Sequence, residues 1–149
     1  MDINLLVNIT SRAWAMRILA ELHRGTPGRQ AALLSATGAG RTAFAPSLAH
    51  LVDLGLVARN PGHGHPLRPE YILTEIGISV AATADRIERA APQSDAPVLL
   101  RRAWTVPILA VSPVGRHFSE IKAQLPPVTD RALSQSLKQL QAAAWIQRD

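Results

Sequence analysis

Arg12-Ala13-Trp14-Ala15-Met16-Arg17-Ile18-Leu19-Ala20 recurs ninety residues later as Arg102-Ala103-Trp104-Thr105-Val106-Pro107-Ile108-Leu109-Ala110, with six of the nine positions identical. Further along, Ala43, Ser47, Leu48, Leu51 and Arg59 correspond to Ala132, Ser136, Leu137, Leu140 and Arg148 at an offset of 89. Two blocks in the same order, with nearly constant spacing and no low-complexity sequence, read as two copies of one module. Copy one covers residues 1–91. Pro92-Gln93-Ser94-Asp95-Ala96-Pro97, polar and bounded by prolines, is the linker (92–97), and copy two covers 98–149.

The local grammar repeats as well. In copy one, Trp14, Ile18 and Leu22 at i, i+4 and i+8 predict an amphipathic helix that stops at Gly25 and Pro27. A short helix over Arg29–Ser35 follows, then a turn at Thr37-Gly38-Ala39-Gly40. The third helix starts at Thr42, keeps Pro46 in its first turn, and carries Leu48, Leu51 and Leu54 up to Gly55. Leu56–Arg59 and Glu70–Leu73 read as two strands around the loop Asn60–Pro66, which makes a hairpin wing. Thr74 caps a last helix whose stripe is Ile76, Val80, Ala84 and Ile87. Copy two predicts helices over Val98–Val111, Arg116–Leu125 and Asp130–Ala144, the last capped by Thr129, and a strand reduced to Trp145–Arg148. The fold class is therefore mainly α (α+β), a tandem winged helix-turn-helix whose second copy lacks a full wing.

These residues resemble the HxlR branch of the MarR-like winged-helix transcription regulators. The Trp14–Leu19 block is similar to that family's opening helix, and Leu48–Arg59 to its recognition helix running into the wing. Tyr71-Ile72-Leu73-Thr74-Glu75-Ile76-Gly77 is similar to its Tyr-x-Leu-Thr-x-x-Gly signature. In copy two, Arg116–Ile121 and Leu133–Leu137 resemble the second and third helices. The resemblance implies a regulator that binds duplex DNA, and relatives dimerise through terminal helices on palindromic operators. The stripe of the last helix and the N-terminal Ile3, Leu5, Leu6 and Val7 are similar to those dimer segments. The stripe is expected either to pack on copy two or to pair with a second chain, with a homodimer favoured.

Composition narrows the field. A chain of 149 residues, 47% hydrophobic and 18% charged, can bury one sizeable core or two small ones. No apolar run is long enough to span a membrane, Asp2 and Asn4 stand where a signal peptide is positive, and a cytoplasmic location follows. Zero cysteines exclude disulfides, thiol nucleophiles and zinc fingers. A net charge of +5 is compatible with nucleic acid. The basic residues are 14 Arg against 2 Lys, beside 24 Ala, a skew that codon bias alone can produce. Their placement therefore carries the argument: residues 1–91 hold +2 and residues 92–149 hold +3, so neither half is strongly basic. No nucleophile elbow, phosphate-binding glycine loop or paired carboxylates point to an enzyme, and no cofactor is expected.

In a helix-turn-helix the third helix enters the major groove. On copy two its exposed positions are Asp130, Arg131, Ser134, Gln135 and Lys138, of which Arg131, Ser134, Gln135 and Lys138 are candidates for base edges and phosphates. The corresponding copy-one positions are Arg41, Thr42, Ala45, Pro46 and Ala49. Only Arg41 and Thr42 offer hydrogen bonds there. Arg59, His63, His65 and Arg68 are candidate backbone contacts of the wing. His63-Gly64-His65 lacks the further ligands a metal site needs. Trp14 and Trp104 fall on equivalent core stripes, whereas Trp145 replaces Leu56. An alternative reading makes Trp145, Trp104 and Trp14 the lining of a site for an apolar small molecule, an effector or a captured natural product, with the DNA faces decayed.

Overall fold

Trp14 and Trp104 hold nearly the same backbone conformation, φ −107°, ψ 0° and φ −104°, ψ −4°, each as the residue that opens a helix. The computed structural model describes residues 1–60, 68–91 and 96–148. Their elements are α1 (Ile3–Thr10), α2 (Ala15–His23), α3 (Gln30–Thr37), α4 (Arg41–Asp53), β1 (Val57–Asn60), β2 (Glu70–Leu73), α5 (Glu75–Ala90), α6 (Ala96–Leu100), α7 (Thr105–Ala110), α8 (Phe118–Gln124) and α9 (Asp130–Ala142). They divide into two compact units, Arg12–Ala91 on one side and Met1–Ser11 with Pro92–Asp149 on the other. The repeat divides the sequence after residue 91, yet in space the first eleven residues group with copy two. Among the described residues, no helix is long and apolar enough to cross a membrane.

The unit Arg12–Ala91 is a winged helix. Its core is Ile18, Leu19, Leu33, Phe44, Leu48, Leu51, Leu56, Tyr71 and Val80. Strands β1 and β2 pair antiparallel in the register Val57↔Leu73, Arg59↔Tyr71, Asn60↔Glu70. The Tyr-x-Leu-Thr-x-x-Gly stretch has a physical account at three of its four fixed residues. Tyr71 is buried, and its N–H donates to the Gly28 carbonyl at 2.6 Å. Thr74 Oγ1 accepts from the Gly77 N–H at 3.1 Å and donates to the Gly55 carbonyl at 2.7 Å, while its N–H donates to the Leu56 carbonyl. The cap of α5 is thus tied to the end of α4. At Gly77 the first turn of α5 lies directly on the Leu56 carbonyl, leaving no room for a side chain.

Helix α5 packs on α2 of the same unit, a contact the sequence did not suggest. Val80, Ala81 and Ala84 are buried, and the small alanines let the helices close. Ile76 is 64% exposed and Ile87 half-buried, so the stripe is narrower than its periodicity implied. Ion pairs hold the rest of the seam. Arg24 bridges Glu21 at 3.0 Å and Asp85 at 2.6 Å, Arg17 reaches Glu21 at 3.1 Å and Glu88 at 3.5 Å, and Arg89 meets Asp85 at 2.9 Å. The hydrogen bond from Arg89, reinforced by Arg24, holds the Asp85 carboxyl below its ordinary range. Burial pushes Glu88 the other way, against the pull of Arg17. Among the described residues copy two has no such network, and Pro107 stands where copy one has Arg17.

The second unit is built on Ile108, Ile121, Leu125, Val128, Leu133 and Leu140, with Ile3 and Val7 of α1 packed against them beside Trp104, Leu137, Trp145 and Ile146. In copy one, α2 is covered by α5. Its counterpart α7 packs with α1. The single helix expected over 98–111 is broken into α6 and α7. Pro107 has no N–H for the carbonyl of residue 103 and its ring clashes there, so it fits only in the first turn of a helix that restarts at Thr105. Trp145–Arg148 does not form a strand, because a strand needs a paired neighbour and none follows among the described residues.

Helices α4 and α9 are each 13 residues long and begin and end at positions 89 apart. They also stop in the same way. Leu56 N–H donates to the Leu51 carbonyl and Trp145 N–H to the Leu140 carbonyl, the reach-back of a left-handed helix stop. The left-handed residue is Gly55 (φ +73°) in copy one, but Ala144 (φ 61°) in copy two. A side chain in that region costs about 1 kcal/mol. Ala144→Gly is therefore expected to stabilise the second unit by about 0.5–1 kcal/mol, the gain being reduced by the freer unfolded chain. Thermal denaturation checks the sign. Helix α4 starts at Arg41, one residue before the position expected, so Pro46 sits in the second turn rather than the first and leaves the Thr42 carbonyl without its helical donor.

Candidate nucleic-acid interface

The helix-turn-helix of the second unit is α8 and α9. Glu120 accepts from the His117 N–H at 2.7 Å to start α8, and Thr129 Oγ1 accepts from the Ala132 N–H at 3.1 Å to start α9. Leu133 and Leu140 are buried. On the opposite face Arg131, Gln135 and Lys138 are exposed at i, i+4 and i+7, with half-buried Ser134 at the edge. Among the described residues, none of these side chains makes a hydrogen bond or ion pair within the chain. Asp130, at the same end of α9, is hydrogen-bonded by Lys122 of α8. That pair offsets part of the negative charge at the start of α9. Helical spacing does not reveal it, because the partners lie eight residues apart across a turn.

In the first unit the equivalent elements are α3 and α4. Gly38 ends α3 in the left-handed conformation, φ 74°, and the chain turns into α4 through Gly40. Phe44, Ser47, Leu48 and Leu51 are buried, and the buried Ser47 hydroxyl accepts from the Trp14 N–H at 3.3 Å, fixing the opening helix on the recognition helix. The outward positions are Arg41, Thr42, Ala43, Ala45, Pro46 and Ala49, all exposed. Arg59 lies exposed on β1 opposite Tyr71, and Arg68 is exposed just ahead of β2. These two arginines flank the tip of the wing. His63 and His65 lie outside the described residues.

The tryptophans sit apart from these faces. Trp104 and Trp145 pack against the buried cluster of the second unit, and Trp14 opens α2 in the first. Trp145 follows the left-handed residue Ala144, and its N–H closes the end of α9, so it is held by the same motif that places Leu56 in copy one.

An HxlR-like helix-turn-helix family model matches residues 9–94 and matches again over residues 99–149. No curated protein and no solved structure matches the chain. The two matched segments coincide with the two helix-turn-helix copies, and together they leave out only the first eight residues and a short connection. The chain belongs to the HxlR-like helix-turn-helix family of DNA-binding transcription regulators, as a tandem repeat of its module.

Proposed function

We propose that this regulator holds duplex DNA chiefly through α9 of the second unit, with Arg59 and Arg68 of the wing gripping the phosphate backbone. The observation that carries this reading is the exposed face Arg131–Gln135–Lys138, free of internal partners and with the Asp130 charge partly offset by Lys122. Glutamine and arginine match the paired donor and acceptor edges of adenine and guanine, whereas lysine on a long stem reaches phosphate as a point charge. Ser134, at the margin of the face, supplies a further phosphate contact.

Salt-titrated binding to a selected duplex and to random duplex separates the roles. Gln135→Ala is expected to cost on the order of 1–3 kcal/mol on the selected site and to spare random DNA. Lys138→Ala and Arg68→Ala are expected to weaken both and to lower the salt slope by about one unit each. Loss of all duplex binding at low salt in the parent chain overturns the proposal. Quenching of Trp145 by an apolar small molecule in such a chain would place its function in ligand capture.

A further inference from the structure

The exposed face of α4 poses a question that the reading of α9 does not answer. Thr42, Ala45, Pro46 and Ala49 fall at i, i+3, i+4 and i+7, and all four are exposed. They form one ridge along the helix. Beyond Thr42 that ridge carries no hydrogen-bonding side chain, so hydrogen-bond readout by its side chains ends after the first turn. Yet α4 has the same length, the same buried face and the same kind of stop as α9, 89 residues on. It is a complete recognition helix with an apolar reading edge.

Only one feature of the major groove matches such an edge. The C5-methyl of thymine is the single apolar group that any base presents there, and alanine and the threonine methyl are the side chains that meet it. Alanine also lets the helix come close, since nothing longer holds the backbone off the base edges. The ridge from Thr42 to Ala49 is roughly 10 Å long at 1.5 Å per residue. That is about three base-pair steps at 3.4 Å each.

We propose that α4 reads a short run of thymines by their methyl groups, with Arg41 anchoring the start of the helix on the backbone. This rests on the reading that the chain holds duplex DNA through its third helices. Arg41, Thr42, Ala45, Pro46 and Ala49 of α4 differ from Asp130, Arg131, Ser134, Gln135 and Lys138 of α9, so the stretch of duplex that one chain reads is not a palindrome.

Replacing thymine by deoxyuridine removes the methyl and keeps every hydrogen-bonding edge. A duplex selected from a random pool by the full chain is resynthesised with deoxyuridine at one thymine at a time, and affinity is measured by anisotropy. Two or three adjacent substitutions are expected to weaken binding by about fourfold each, the equivalent of one buried methylene. The other thymines are expected to have no effect. The variant Thr42→Ser/Ala45→Ser/Ala49→Ser keeps the helix and exchanges the methyls of the edge for hydroxyls. It is expected to bind the thymine and deoxyuridine duplexes equally, whereas Gln135→Ala keeps the thymine preference. If deoxyuridine costs nothing at any position while binding persists, methyl reading is overturned and the α9 proposal stands. If the preference survives in the serine variant, another element reads the methyls and the assignment to α4 fails. No duplex binding at low salt overturns both.

Discussion

Gly77→Ala is expected to unfold much of the Arg12–Ala91 unit. An added Cβ at this position lies 1.9 Å from the Leu56 carbonyl oxygen, and that oxygen already accepts the Thr74 N–H that seats the cap of α5. Elsewhere in a helix the same change gains up to about 1 kcal/mol from propensity. Here the overlap is with backbone on both sides, so relief requires moving α5 away from the end of α4. We expect a loss of 3 kcal/mol or more, on the order of what the worst overpacking substitutions cost. For a unit of this size that corresponds to a fall in Tm of roughly 12 °C or more. A melting temperature within a few degrees of the parent would show that the approach of α5 to Leu56 relaxes easily.

Removing Met1–Ser11 is expected to have an effect of similar size on the other unit. Ile3 and Val7 cover the cluster around Ile108, Leu133 and Leu140, and α1 is the partner of α7. Each apolar side chain taken from such a site forfeits about 1–3 kcal/mol, and the cluster itself is opened to water. Against a total stability of 5–15 kcal/mol for a typical domain, that leaves α7, α8 and α9 marginal. Native-state hydrogen exchange is the direct measurement: amides of α7–α9 are expected to lose protection while those of α2 and α4 keep theirs. Protection of α7–α9 as in the full chain would mean that α1 is a passenger on the second unit.

The duplication, the wing and the cap at Thr74 were legible in the sequence because each is written in local chemistry: a repeated block, alternating strands between turn residues, a threonine ahead of a helix. The last helix and both wing strands fall where periodicity put them. Three features were not legible. The break between α6 and α7 was hidden because apolar residues continue on both sides of Arg101-Arg102 and no glycine marks the turn, although copy one breaks at the equivalent place between α1 and α2. The packing of α5 on α2 was hidden because the pairs that join the two helices, Arg17 with Glu88 and Arg24 with Asp85, lie far apart along the chain. The docking of α1 on copy two was hidden because an apolar stripe specifies that a helix is covered and says nothing of what covers it.

For the candidate interface, helical spacing alone placed Arg131, Gln135 and Lys138 on the exposed face that the structure shows, with Ser134 at its margin. Helical spacing could not supply the Lys122–Asp130 pair, which requires the turn between α8 and α9 to be in place. The register of α4 was off by one residue at its start because proline is most at home in a first turn, whereas here Gly40 opens the helix one residue sooner and Pro46 is accommodated on the solvent side.

The partnership of α1 with α7–α9 also has a consequence in time. During translation α1 is made before the helices that shelter it, and the whole of Arg12–Ala91 is synthesised in between. At about 5–20 residues per second the wait is on the order of ten seconds, long compared with the folding of a small domain. The winged helix is thus free to form while α1, with Ile3 and Val7 on its apolar face, still lacks the cluster it packs against. Until α7–α9 emerge, the growing chain carries α1 with its apolar face uncovered.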